Sequence, residues 1–146
     1  MNLIFELTTP ERVVAKKEVV GITVPTQAGE ITVLPGHIPL VSSLKPGMIT
    51  LHLLEGQEEY LAVSGGFLEV QPTGRVILLA DSAERAEELD LQKVEEARER
   101  ARRALEEKRD IDEVAATAAI SALERELARE RTARKYRDLK HRPISN

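Results

Sequence analysis

From Asn2 to Ala80 apolar and polar positions mostly alternate. Leu3, Phe5 and Leu7 alternate with Asn2, Glu6 and Thr8; Val20, Ile22 and Val24 flank Gly21 and Thr23; Ile49, Leu51 and Leu53 flank Thr50 and His52. A period of two gives each strand one dry face. Turn signals separate the runs at Thr9-Pro10, Pro25, Ala28-Gly29, Pro35-Gly36, Pro46-Gly47, Glu55-Gly56, Gly65-Gly66 and Pro72-Thr73-Gly74. Short strands at this spacing predict an antiparallel β-sandwich or flattened barrel. Then the pattern changes. From Glu84 onward there is one Pro, at 143, and no Gly, while Ala, Glu, Arg and Leu dominate. These residues favour helix.

The chain therefore divides into a β-sandwich domain over 1–83 and a helical domain over 84–146, with residues 81–88 as the joint. Asp90 is a good N-cap, with Leu89 and Val94 at the spacing of a hydrophobic staple; Asp110 with Glu113 three residues on is close to a capping box. Two helices are predicted, about 91–108 and 113–138, folding as an antiparallel hairpin. Val94, Ala97, Ala101 and Leu105 form one stripe. Ala115, Ala119, Leu123 and Leu127 form another, continued by Ala128, Thr132, Tyr136 and Leu139. Alanines bury little area beside the ~1.5–3 kcal/mol of a buried Leu or Ile, so the hairpin is weakly held. Surface pairs Glu96–Arg100, Glu99–Arg103 and Glu130–Arg134 favour each helix alone. The stripe breaks at Asp110 to Asp112, against a sustained coiled-coil tail.

Charge adds a polarity along the helices. The 146 residues carry 25 acidic and 21 basic side chains, net −4. Within the helical domain, Glu84 to Glu124 holds 8 basic and 13 acidic residues, whereas Arg125 to Asn146 holds 8 basic and 3 acidic. The last helix is a basic rod containing Arg125, Arg129, Arg131, Arg134 and Lys135. Only Tyr136 interleaves its cations as an aromatic platform, and the chain as a whole is acidic, so nucleic acid is not the expected partner.

Candidate chemistry is sparse. There is no Cys, and His37, His52 and His141 lack metal-ligand spacing. Ser64 before Gly65-Gly66 lacks a strand-to-helix elbow, and the two glycines lie between strands with no helix N-terminus to receive a phosphate. No catalytic residue, metal or obligate cofactor is expected. The start, MNLIFELTTPERVV, has no basic opening or long apolar core of a signal peptide, and no apolar run reaches the ~20 residues of a membrane span. Membrane association is expected only through a partner.

The most distinctive stretch is Gly29 to Gly47, GEITVLPGHIPLVSSLKPG, extended chain folded back by sharp turns. Together with Val63-Ser64-Gly65-Gly66-Phe67-Leu68-Glu69-Val70 and the charged helical tail, in that order, it resembles the epsilon subunit of bacterial and chloroplast rotary ATP synthases. The resemblance covers essentially the whole chain. It implies a non-catalytic central-stalk subunit of a proton-driven enzyme, peripheral on the cytoplasmic side of the cell membrane. The implied partners are the gamma shaft subunit, the membrane rotor ring of c subunits, and the alpha and beta subunits of the catalytic head.

The segment matching Gly29 to Pro39 then makes Glu30, His37 and Pro39 interface candidates, and the basic helix becomes the part that inhibits hydrolysis. A single helix of about 45 residues would be ~70 Å long, enough to reach deep into a catalytic head. The resemblance also opens an alternative, an ATP-sensing module. Some relatives bind ATP on the hairpin through Ile or Leu, Asp, two variable residues, Arg and Ala. Here those positions read Leu89, Asp90, Leu91, Gln92, Lys93 and Val94, with Glu84 and Arg100 nearby. Leu and Asp match, but the fork of Arg has become the point charge of Lys, and Ala has become Val.

Overall fold

The computed structural model describes residues 1–142. Its strands are β1 (Leu3–Thr8), β2 (Val13–Val19), β3 (Gly21–Thr26), β4 (Gly29–Val33), β5 (Leu40–Leu44), β6 (Gly47–His52), β7 (Glu58–Val63), β8 (Gly66–Val70), β9 (Arg75–Ala80) and β10 (Ala83–Arg85). Two helices follow, α1 (Leu91–Lys108) and α2 (Glu113–Lys140). The strands form one sheet in the order β10-β7-β6-β3-β5-β8-β9-β1-β2, with β4 attached to β3 alone. One pairing departs from the antiparallel expectation: β1 and β9 run parallel, from Ile4↔Arg75 to Thr8↔Leu79. A long return through the intervening sheet allows this, whereas a tight hairpin could not.

The sheet curls until its ends meet, and side chains rather than a ladder bridge the seam. The Arg85 guanidinium on β10 donates to the Val14 carbonyl on β2 at 2.6 and 3.2 Å. Lys17 reaches Glu59 at 2.6 Å and Arg12 reaches Glu88 at 3.0 Å across the same side. The interior is aliphatic apart from Phe5: Leu3, Leu7, Val14, Val19, Ile22, Val24, Val33, Ile49, Leu51, Leu68 and Leu78 are essentially inaccessible. β10 and a short 3-10 turn at Ala86–Glu88 occupy the expected joint, so residue 83 lies inside a strand.

Two turn signals have particular meanings. Pro25 does not turn the chain; it is in β3, opposite Glu30. It sits between Thr23, the last residue paired to β6, and Thr26, which pairs β5, where its missing N–H interrupts no ladder bond. A Cβ at Gly47 would fall 2.7 Å from the Pro25 ring, which explains that glycine. Pro35-Gly36 is a turn: Gly36 has φ 87°, and the His37 amide donates to the Leu34 carbonyl at 3.0 Å. Pro then Gly at the two central positions is type II chemistry.

α2 lies on β6 and β7, and α1 packs on α2. Met48, Tyr60 and Ala86 from the sandwich side form a second apolar cluster with Tyr136 and Leu139. The expected α2 stripe holds at Ala119, Ala128 and Thr132, which are buried; it departs at Leu127, 46 % exposed, and the buried Ala133 joins it. A helix sandwiched between a sheet and another helix buries two faces, and small residues let both neighbours approach. Thr132 meets its buried hydroxyl's need within the helix, donating to the Ala128 carbonyl at 2.8 Å.

Candidate functional site

Three surfaces contain the functional candidates. The first is the segment from Gly29 to Pro39, where β4 runs along β3 with its other edge unpaired among the described residues. Its two ends open on different recesses. Glu30, exposed, lines a groove of about 470 Å³ between sandwich and α2, with Pro25, Lys45, Met48, Leu127 and Arg131 among its other walls. His37 and Pro39 line another, with Asn2 and the Gln71–Gly74 turn. The three residues are close in sequence, but the length of β4 separates Glu30 from the other two. The His37 ring Nδ1 lies 2.6 Å from the Ile38 carbonyl, while Ile38 itself is 74 % exposed.

The second surface is the outer face of β5, β8 and β9. Register places Phe67 opposite Ser43 and Leu79, and Glu69 opposite Val41 and Ile77. Val41, Phe67 and Leu79 are 73, 59 and 56 % exposed and line a shallow recess with Leu68, Glu69 and Ile77. Contiguous exposed apolar side chains on a rigid sheet mark a docking face. The alternation that predicted dry strand faces pointed to the inner face and gave no sign of this outer one.

The third surface is the basic helix. Arg129 is held by two carboxylates: its Nε and Nη2 donate to Glu84 at 2.8 and 3.2 Å, and Nη1 donates to Glu126 at 2.8 Å. Burial alone would lower the guanidinium pKa, but these hydrogen bonds outweigh it and raise it. Arg134 bridges Glu130 at 3.2 Å and Glu95 of α1 at 2.9 Å, and Arg98 of α1 faces Glu130 at 3.0 Å. Lys135 lies over the Tyr60 ring, 5.9 Å from its centre. Arg125 and Arg131 have no ion pair among the described residues. The expected Glu99–Arg103 and Glu130–Arg134 pairs form, but Glu96–Arg100 does not; Glu99 instead also holds Arg102, at 2.6 Å.

Of the four nucleotide candidates, Glu84 and Asp90 have partners within the fold. Glu84 is engaged by Arg129. Asp90 caps α1, accepting from the Lys93 amide at 3.2 Å. The Lys93 and Arg100 side chains are exposed on α1. Among the described residues no cluster of His, Cys, Asp and Glu could hold a metal, and no helix is long and apolar enough to cross a membrane.

This geometry has relatives. A family model, ATP synthase, Delta/Epsilon chain, beta-sandwich domain, matches residues 2–86, ending just beyond β10. The chain belongs to the ATP synthase epsilon-chain family. It is 46 % identical over 128 residues to the ATP synthase epsilon chain of Moorella thermoacetica, covering 88 % of this chain and 93 % of that one. To the epsilon chain of Dichelobacter nodosus it is 41 % identical over 133 residues, covering 82 and 92 %. Epsilon-family architecture extends to a chain in the Euglena gracilis mitochondrial ATP synthase, in an assembly described as OSCP/F1/c-ring. That match has a TM-score of 0.77 and 31 % identity, and covers 89 % of this chain and 80 % of that one. A chain of the Tetrahymena thermophila mitochondrial ATP synthase central stalk and c-ring shares the fold, at a TM-score of 0.55 and 17 % identity, covering 95 and 96 %.

Proposed function

We propose that this chain is a non-catalytic coupling and regulatory subunit in the central stalk of a proton-driven ATP synthase. Its sandwich binds the gamma shaft subunit and the rotor ring, and its helical tail restrains ATP hydrolysis. The supporting observation is the division of the sandwich surface: β6 and β7 are covered by α2, whereas β5, β8 and β9 present Val41, Phe67 and Leu79 bare. The bare face suits the shaft, because a permanent subunit contact is built around apolar anchors. The segment from Glu30 through His37 to Pro39, on a free edge, suits the polar loops of a ring. Membrane attachment then comes through the partners, on the cytoplasmic side.

Inhibition is carried by Arg125, Arg129, Arg131, Arg134 and Lys135 when the hairpin opens and α2 meets acidic segments of the alpha and beta subunits. The hairpin as found is the closed form; small residues at its contacts leave the two forms close in free energy. Removing residues 89–146 from the assembled enzyme tests this. That cut spares β10 and Arg85, which hold the seam, whereas a cut at Glu84 would not. ATP hydrolysis at low nucleotide is expected to rise several-fold with assembly intact, and an unchanged rate would refute the inhibitory role. Phe67→Glu in the full chain is expected to weaken binding to gamma by at least tenfold.

A further inference from the structure

The two helices are held to the sandwich by few large apolar side chains. What joins all three parts is a chain of ion pairs centred on two consecutive residues of α2. Arg129 points to the sandwich and grips Glu84 on β10 through two nitrogens, while Glu126, one turn earlier, takes its third. Glu130 points to α1, with its side chain only 13 % exposed, and meets Arg98 at 3.0 Å; Arg134 then returns to Glu95 of α1 at 2.9 Å. Neighbouring residues on a helix are about 100° apart, so one step along α2 changes the partner from sheet to helix.

We propose that Glu84, Arg129 and Glu126 form a latch that keeps the hairpin closed without any ligand. This rests on the reading of the hairpin as a part that opens. The geometry gives the latch a particular sensitivity. Glu84 and Glu126 share one cation from opposite sides of the β10–α2 contact. Taking that cation away leaves two carboxylates facing each other, so its loss opposes closure actively. Arg suits the position because its planar fork binds Glu84 with two donors and still has a third for Glu126; Lys, a point charge, cannot hold this arrangement. The same pairing occupies both oxygens of Glu84, one of the groups a nucleotide would need. An opening hairpin frees Arg129 from Glu84 and Arg134 from Glu95, leaving each with one carboxylate of α2, Glu126 and Glu130, and a side open to a new acidic partner.

The absence of Cys allows the full chain to be spin-labelled at two introduced sites, Gln57→Cys and Ser121→Cys, both exposed. Pulsed dipolar spectroscopy then reads the distance between sandwich and α2. The parent is expected to give one narrow distance at low salt. In Arg129→Ala the ratio of open to closed molecules should rise at least tenfold, and in Arg129→Lys and Glu84→Gln by less. Arg125→Ala, which removes the same charge from the same helix outside the network, should leave the distribution unchanged. Raising salt to about 1 M should open the parent several-fold, with little further effect on Arg129→Ala. Equal distributions for Arg129→Ala and Arg125→Ala would overturn the latch. Circular dichroism of each variant, and the shape-preserving Glu84→Gln, guard against reading a misfolded helix as an open one. The inhibitory reading stands or falls separately, on hydrolysis after removal of residues 89–146.

Discussion

Glycine 66 shows how a single residue sets the fold's tolerance. It opens β8 with φ 132°, and a Cβ there would fall 2.0 Å from the Leu79 carbonyl oxygen on β9. Neither that backbone angle nor that space suits any other residue. Gly66→Ala is expected to cost about 2–4 kcal/mol in urea unfolding, through strain and a disturbed β8–β9 ladder. Gly36→Ala, at φ 87° with open space around it, should cost only about 1–2 kcal/mol. Tyr60 carries the other prediction at this scale. Burial, and then the hydrogen bond it donates to Glu58, push its pKa up from 10.0 to about 12. A raised pKa means the folded protein favours the neutral phenol. The stability from Tyr60 is therefore complete below pH 10 and is lost as pH rises toward about 12. Ultraviolet titration should show a tyrosinate appearing only near pH 12 that is missing in Tyr60→Phe.

At the scale of elements, the helix starts were legible and the helix faces were only partly so. Asp90 and Asp112 cap α1 and α2, accepting from the Lys93 and Val114 amides at 3.2 and 3.0 Å. The second cap is two residues beyond the Asp110 expected from the sequence, because residues 109–112 are needed for the reversal between helices. Asp90 also separates two roles. As a cap it tolerates Asn, so Asp90→Asn should leave the helical melting transition in place, while Asp90→Ala lowers it by the equivalent of ~1 kcal/mol. As a nucleotide ligand it would make the parent respond to ATP. With Glu84 and Asp90 both engaged internally, millimolar ATP is expected to leave that transition where it is; a rise of several degrees would restore the ATP-sensing alternative. The α2 stripe holds at Ala119, Ala128 and Thr132 but includes the exposed Leu127 and omits the buried Ala133, for a geometric reason. Helical periodicity finds one apolar face, whereas α2 has two neighbours and covers both with Ala and Thr, residues whose hydropathy is too weak to announce burial.

For the molecule as a whole, the hairpin and the sandwich differ in what holds them. The sandwich has a continuous aliphatic core and a seam fastened by Arg85 and Lys17. The hairpin has a small cluster around Met48, Tyr60, Ala86, Tyr136 and Leu139, and a row of ion pairs. The proposed coupling and regulatory role calls for such a contrast, a body that stays on a shaft and a tail that changes position.

The sequence by itself determined the parts: strands by alternation, helices by composition and caps, and the family by the Gly29–Gly47 and Val63–Val70 motifs with the tail in order. These signals are local or lie in a fixed linear order, so they survive without coordinates. Tertiary structure alone decided the parallel β1–β9 pairing, the seam, the bare Val41–Phe67–Leu79 face, the separation of Glu30 from His37, and the meeting of Glu84 with Arg129, 45 residues away. Each of these depends on which distant surfaces the folding sheet brings together, and a one-dimensional pattern of polar and apolar positions contains no record of that choice.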